Sequence, residues 1–550
     1  MRGGGVPAGL DARASEEASA DTVQRAVLEA SGGALHLVKA LVGSNTVVPV
    51  WLVTQGAQAV SHGSVSLPQA PLWGLGRVID REHPELRCTR VDLDARDEEG
   101  SLRGLLAELA RGESTAGREV VLRRGVRLHP ELREERGTGR GPRAAPGGSY
   151  LITGGLGGLG LEVAKWMVER GARHLVLVGR RAPSARATEA VRALERAGAQ
   201  VTLASVDVSR EDEVSRLLRQ VDAASPPLRG VIHAAGVLED GALLQQDLDR
   251  FERVMNPKVA GAWNLHRLTR DRPLDFFVLF SSASALLGSG GQGNYAAANA
   301  FLDALAHERR AHGLPAQSLD WGPWAETGMV GASDGTLARS LERRGIRPLP
   351  TAGALALFGE ALASGRPQVA LLSIQWPVYL ESLGALGRSP LYAALAPVRA
   401  AETRAGAPLA ERLRSALPQE RSRLLVRSLQ EEAARILRLE PSEVDWRQGF
   451  AELGMDSLMA IELRNVLQKQ LGAPVPATVA LDHPTVDFLG QHLLTDVLKL
   501  DVQAQAAPAA PLPPAPIVFK ASQVPAAEEL DALSDAELAR LVAEDLAKDS

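Results

Sequence analysis

The sequence predicts an α/β chain that ends in an all-helical part, and three observations carry that expectation. Short apolar strands alternate with helix-spaced apolar residues up to about Ala396. At Tyr150 to Val168 a strand runs straight into a glycine-rich turn and then a helix pattern. From about Leu413 to Leu498 the strand signal is lost and apolar residues recur at i, i+3 and i+4. Together these give two Rossmann-like α/β units, an all-α four-helix domain and a C-terminal helix.

The 550 residues amount to about three to five folding units at roughly 100–200 residues each. With 45% hydrophobic residues, 53 Gly and 33 Pro, the composition is that of a chain able to build large cores. The formal charge of −5 gives no support to nucleic-acid or membrane-surface binding. One cysteine, Cys88, excludes an intrachain disulfide framework and a Cys-based zinc site, and no metal is expected. Met1 to Leu10 has no apolar signal core, and no run of about 18 apolar residues occurs, so the expectation is a cytoplasmic protein. Only seven of the 61 basic residues are Lys, so a lysine at a catalytic spacing carries weight.

In chain order, residues 1–20 read as a flexible lead-in. Residues 21–132 form a first α/β unit, with a helix from Asp21 to Val42, a strand from Val47 to Thr54, a strand around Val91-Asp92-Leu93 and a helix from Leu102 to Arg111. After its first strand stands Gln55-Gly56-Ala57-Gln58, without the repeated glycines that let a pyrophosphate reach the backbone, so this unit is expected to hold no dinucleotide. Residues 133–148 are a linker rich in Arg, Gly and Pro. The second α/β unit spans 149–396, a second linker 397–412, the helical domain 413–498, and an Ala/Pro stretch 499–527. Residues 528–550 read as one acidic amphipathic helix with Leu530, Leu533, Leu538, Leu541, Val542 and Leu546 near one face.

The dinucleotide signature opens the second unit. Thr153-Gly154-Gly155-Leu156-Gly157-Gly158-Leu159-Gly160 joins strand to helix, where glycines permit close approach and the helix N-terminus faces a pyrophosphate. The next strand ends in Gly179-Arg180-Arg181, and arginine suits a ribose 2′-phosphate where an acid would suit a hydroxyl. Further strand ends, Asp207-Val208 and His233-Ala234-Ala235-Gly236, should line the same crevice.

Lys258, Ser282, Tyr295 and Asn299 follow. Hydride reduction of a ketone leaves an alkoxide that needs a proton, and a tyrosine delivers one if a nearby cation lowers its pKa. Tyr295 is the natural acid, Ser282 can hydrogen-bond the carbonyl oxygen, and Lys258 would stabilise the tyrosinate. Taken singly, each has an ordinary reading as a half-buried helix residue, a strand-end cap and a surface cation.

Thr153, Gly154, Gly158 and Gly160 match the TGxxxGxG pattern of short-chain dehydrogenase/reductases, and the Lys, Ser, Tyr, Asn order resembles the ketoreductases of modular polyketide synthases. The resemblance implies NADPH, adenine contacts from Asp207 and Val208, ribose contact from Lys258, and a cofactor-free structural half in the first unit, here lacking its usual opening strands. Leu238-Glu239-Asp240 resembles the Leu-Asp-Asp signature of B-type members, with Glu in place of the first Asp. Asn294 agrees with that type, and Leu287 stands where A-type members carry tryptophan, whereas Gly290 replaces a proline common in B-type members. Stereocontrol is thus expected at Asp240, Leu287 and Asn294, with a D-hydroxy product. Asp320 to Trp324 and Met329 resemble the substrate-side segment and lid, although two tryptophans are equally a core feature.

Leu453-Gly454-Met455-Asp456-Ser457-Leu458 and Asp482-His483-Pro484-Thr485 resemble acyl carrier proteins, which implies 4′-phosphopantetheine on Ser457. By composition alone the Asp-Ser pair is a helix cap. The partners implied are a carrier-bound β-ketoacyl substrate, a phosphopantetheinyl transferase, and upstream and downstream synthase proteins, the latter through the acidic helix as a docking element. The competing readings are a carrier and docking scaffold with a catalytically silent reductase fold, and a freestanding reductase of small ketones. At 550 residues, with no condensing or acyltransferase segment, the chain is expected to be less than a synthase module.

Overall fold

A computed structural model of the chain describes residues 18–500 apart from 61–62, 112–117, 329–335, 397–408 and the single positions 136, 138, 140, 142, 438, 456 and 477. The lead-in over 1–17, Met329, Asp456, most of the second linker, and everything from Asp501, including the acidic helix, lie outside the described residues.

Helix α1 (Ala20–Gly43) starts where Ser19 caps it by accepting from Thr22 N, and buries one stripe, Val23, Val27, Leu35 and Val38. It is long and apolar enough to cross a bilayer by composition, yet its apolar stripe lies in the protein core. The expected strand from Val47 begins later, as β1 (Trp51–Gln55), because Pro49 cannot donate to a ladder and the exposed Val47 and Val48 pair with nothing in the sheet. Helix α2 (Pro71–Glu82), with Pro at its first position, leads to β2 (Thr89–Leu93). Helix α3 (Glu98–Ala110), capped by Asp97, leads to β3 (Glu119–Arg123) and β4 (Val126–Leu128). The sheet runs in the order β1-β2-β3-β4, parallel except for the last hairpin.

The second sheet comprises β5 (Ser149–Thr153), β6 (His174–Gly179), β7 (Gln200–Ser205), β8 (Leu228–His233), β9 (Phe276–Ser282), β10 (Gln317–Trp321) and β11 (Gln368–Leu371). Its order β11-β10-β9-β8-β5-β6-β7 is parallel throughout. Helices α4 (Gly158–Glu169), α5 (Ala185–Arg196) and α6 (Glu211–Ala224) form the first crossovers. Covered on both faces, central strands such as β5 are buried at every residue. Strand order reverses between β5 and β8, so a crevice opens outside their carboxyl ends.

The helices between β8 and β10 are α7 (Leu248–Met255), α8 (Gly261–Thr269), α9 (Ala283–Leu287) and α10 (Gly293–Ala311), with further helices at Thr336–Arg343, Thr351–Ser364 and Trp376–Ser382. One core joins the two halves: Leu75 and Ile79 of α2 belong to the same cluster as Phe251, Trp263 and Phe301. Gly74 lets α2 close onto α10, since a Cβ there would stand 2.3 Å from the carbonyl oxygen of Ala296. Trp321 and Trp324 meet edge to face, Trp321 also lies against Phe280 and Phe358, and both tryptophans are buried in the same cluster, so both are core residues.

The helical domain holds α11 (Leu409–Ser415), α12 (Pro418–Leu437), α13 (Ser457–Leu471), α14 (Val479–Asp482) and α15 (Val486–His492), five α-helices among the described residues. Leu425, Leu429, Leu463, Leu467 and Leu489 make its own core.

Candidate active site

The glycine turn is shaped by contacts that exclude side chains. Gly154 has φ +68°, and a Cβ on it would stand 2.7 Å from the Ala234 oxygen. A Cβ on Gly160 would stand 2.3 Å from the Gly154 oxygen, so helix α4 starts flush against the end of β5. Gly157 caps α4 with no side-chain acceptor, leaving the first-turn N–H groups to a ligand. Across the switch point Thr153 Oγ1 and His233 Nδ1 are 2.7 Å apart. Burial, with the Lys258 charge adding, pushes the His233 imidazole down to about 3, so it is neutral.

Gly155 donates its N–H to Val178 O, and Gly179 lies against the Leu156 side chain. Arg180 and Arg181 are exposed beyond β6. Asp207 accepts from Ser209 N and Oγ through Oδ1, and the Val208 side chain is in the core. Sequence reasoning missed Thr327. Its buried Oγ1 has no partner, and its Cβ would sit 3.5 Å from a Cβ on Gly158, beside the first turn of α4. No local pattern announces it; only the fold brings it there. An uncapped helix N-terminus, a turn closed to side chains and an orphaned hydroxyl fit a dinucleotide's phosphates.

Lys258 occupies a π-helical turn, Asn256–Ala260, between α7 and α8, where Pro257 disrupts the regular ladder. Its ammonium is buried, donates to Phe280 O at 3.0 Å and lies 5.2 Å from the centre of the Tyr295 ring. Burial pushes the amine down to about 7, with Asp303 working the other way. Ser282 ends β9 and caps α9. Its Oγ accepts from Ser284 N at 3.2 Å and Ser284 Oγ at 3.1 Å, which leaves its own proton to give.

Tyr295 sits in the first turn of α10, half-buried. Burial pushes its phenol up to about 12, with the Asn299 hydrogen bond opposing and the Asp240 charge adding. This reverses the expected lowering by a neighbouring cation, because Lys258 faces the ring and binds a carbonyl. The phenol remains a proton donor to an alkoxide, which is the stronger base. Asn299, one turn on, donates to Tyr295 O at 2.8 Å and keeps a buried Oδ1 without a partner.

The three residues expected to govern stereochemistry occupy different settings. Asn294 donates to Glu239 O at 2.9 Å and accepts from Tyr295 N at 2.7 Å, tying the catalytic helix to the Asp240 loop. Asp240 Oδ2 accepts from Gln292 at 3.0 Å. Leu287 is buried in an apolar cluster with Tyr379, Leu383, Leu391 and Tyr392.

Ser457 begins α13, with its side chain outside the described residues. Farther along α13, the buried Arg464 forms an ion pair with Glu85 at 2.5 Å, and Asn465 donates to Arg81 O at 3.2 Å. Glu462 pairs with Arg344 at 3.1 Å. The helical domain is thereby seated at the C-terminal end of α2.

Residues 148–326 match the family model of the KR domain, residues 427–493 that of the phosphopantetheine attachment site, and residues 4–132 that of the polyketide synthase extender module SpnB Rossmann fold domain. The chain is 37% identical over 479 residues to polyketide synthase GfsA of Streptomyces halstedii, covering 84% of this chain and 6% of that protein. It is 38% identical over 502 residues to pikromycin polyketide synthase component PikAIII of Streptomyces venezuelae, covering 86% of this chain and 31% of that protein. The chain thus spans less than a third of the length of these curated relatives. Among solved structures, A-type ketoreductases from a modular polyketide synthase are 37% identical with a TM-score of 0.60, covering 66% of this chain and 78% of that one. A C2-type ketoreductase is 34% identical with the same TM-score, covering 66% of this chain and 79% of that one. Fold likeness therefore does not separate the stereochemical types.

Proposed function

Because the chain belongs to the ketoreductases of modular polyketide synthases, with a phosphopantetheine-attachment domain in the same polypeptide, we propose that it reduces a β-ketoacyl thioester carried on Ser457 to a D-configured β-hydroxyacyl thioester. The single observation that carries this reading is the convergence of Lys258, Ser282 and Tyr295 beside the crevice at the strand-order reversal.

The glycine turn would hold NADPH, which when bound would supply the hydride. The first turn of α4 and Thr327 would hold its phosphates, and Arg180 and Arg181 would hold its 2′-phosphate. Ser282 gives its free proton as a hydrogen bond to the ketone oxygen and so fixes the carbonyl. Tyr295 then transfers its hydroxyl proton to that oxygen as negative charge develops there. Lys258, held by Phe280 O, offers a positive charge to the tyrosinate left behind. Asn299 fixes the turn of α10 on which Tyr295 stands. The D configuration is read from the Glu239-Asp240 loop, from Asn294 and from leucine at position 287. A tether on Ser457 would keep the substrate at high local concentration beside the site.

The working division assigns 21–132 and 149–396 to the two reductase halves and 413–498 to the carrier. A phosphopantetheinyl transferase would load Ser457, and neighbouring synthase proteins would deliver and receive the chain, the latter through the acidic segment 528–550.

The test loads the full-length protein with a β-ketoacyl-pantetheine group and follows acyl mass after NADPH is added. A gain of two hydrogens is expected, and Tyr295→Phe should slow it by about 10²-fold or more. Unchanged mass in the unaltered protein, or full activity in Y295F, would overturn the reading.

A further inference from the structure

Glu82 ends α2, in the half of the reductase that carries no glycine turn, and its side chain is 1% exposed. Both of its oxygens reach into the other half. Oε2 accepts from Leu243 N at 2.7 Å and Oε1 accepts from Gly291 N at 2.7 Å. Burying a carboxylate is costly unless donors surround it, and here the donors are two loop amides.

Those two amides belong to the segments that frame Tyr295. Leu243 opens a short 3-10 turn directly after Glu239-Asp240-Gly241-Ala242. Gly291 precedes Gln292, the residue that holds Asp240, and its carbonyl accepts from Gly241 N at 2.8 Å. The first loop is pinned at other points too. Gln246 donates to Glu239 O and Gly241 O, and Arg250 donates to Asp240 O at 2.9 Å. Every one of those ties comes from the catalytic half. Glu82 binds both segments at once and ties them to α2, which packs on α10, so α2 adds a second hold on the loop beside those of Asn294 and Gln292.

We propose that Glu82 is a positioning residue that holds the Glu239–Ala242 loop and the Gly291 turn in register with Tyr295, and so decides which face of the ketone meets the hydride. The proposal rests on the ketoreductase reading of the site. It makes the half of the reductase without the glycine turn a determinant of product configuration.

The experiment compares full-length wild type, Glu82→Gln and Glu82→Asp with a soluble β-ketoacyl thioester. It measures NADPH affinity, KM, kcat and the ratio of the two hydroxy enantiomers. Gln keeps the volume but offers one acceptor where two are needed. E82Q should erode the enantiomer ratio about tenfold and raise KM, the worth of one hydrogen bond to a charged group, while NADPH affinity stays within about twofold. E82D, which keeps two acceptors on a shorter arm, should fall between. An unchanged ratio and KM in E82Q would overturn the proposal. So would failure of both variants to fold, or equal loss of cofactor affinity and rate in both, since either would make Glu82 a core tie only. A wild type that reduces nothing would instead sink the reductase reading on which the proposal stands.

Discussion

Lys258 ends where a charge is expensive: 3% exposed, its amine brought down to about 7 by burial. If the ammonium is the form that supports Tyr295, kcat/KM should be level below about pH 7 and fall as pH rises through that value, while the Tyr295 proton persists to about 12. A steady-state pH profile checks this, and Lys258→Met should lose the falling limb while running at a lower level throughout. A wild-type profile that stays level to pH 9 would remove the charge from the mechanism. The four polar residues proposed for this site could be named from the sequence by their types and order, and the fold brings Lys258 beside the Tyr295 ring. The direction of the Tyr295 shift was not, because the burial that sets it comes from elements such as α2, more than two hundred residues away in the chain. Thr327 was hidden for the same reason, since its value lies in facing Gly158 and not in its neighbours.

Among the elements, α2 and the turn after it have three partners: α10 through Gly74 near the start of the helix, the substrate loops through Glu82 at its end, and the helical domain through Arg81 and Glu85. The buried Arg464–Glu85 pair should seat α13, since removing one partner of such a pair leaves the other charge uncompensated. Glu85→Gln is therefore expected to slow reduction of an acyl chain tethered on Ser457 by about tenfold or less, through lost local concentration, and to leave turnover of a soluble thioester unchanged. Equal effects on both substrates would assign Glu85 to the reductase instead. Helix periodicity placed α1 within a residue at each end, since Ser19 and the apolar stripe both mark it. Pro49 moved the start of β1 away from the apolar Val47, and Pro257 interrupts the run from α7 to α8 with the π-helical turn that carries Lys258. Both are backbone effects of proline, which hydrophobic pattern alone does not register.

For the whole molecule, two buried histidines contribute to the response to acid. Burial pushes both His233 and His266 down to about 3, with neighbouring cations adding to each. Both are neutral in the fold and take up a proton on unfolding below about pH 6.5, so their stabilising share is complete above 6.5 and is lost as pH falls toward 3. Thermal melts should show Tm declining through this window, each histidine adding about 1.4 kcal/mol per pH unit to the slope at most. His266→Gln, which can still accept from Arg309, should flatten it. The parallel sheet and its reversal point were readable from the strand–glycine–helix sequence. The shared core of the two halves was not, because no periodicity reveals that α2 and α10 lie face to face. That shared packing bears on how such a protein can be recombined. The run 133–148 looks like a seam, and a gene fusion made there would transplant β5 to β11 as a cassette. Grafted behind a foreign N-terminal half, the cassette would bring Leu243 and Gly291 amides evolved for one particular carboxylate, and a helix surface fitted to one particular glycine. Chimeras joined ahead of Ala20 keep these pairs together, which makes that point the safer splice.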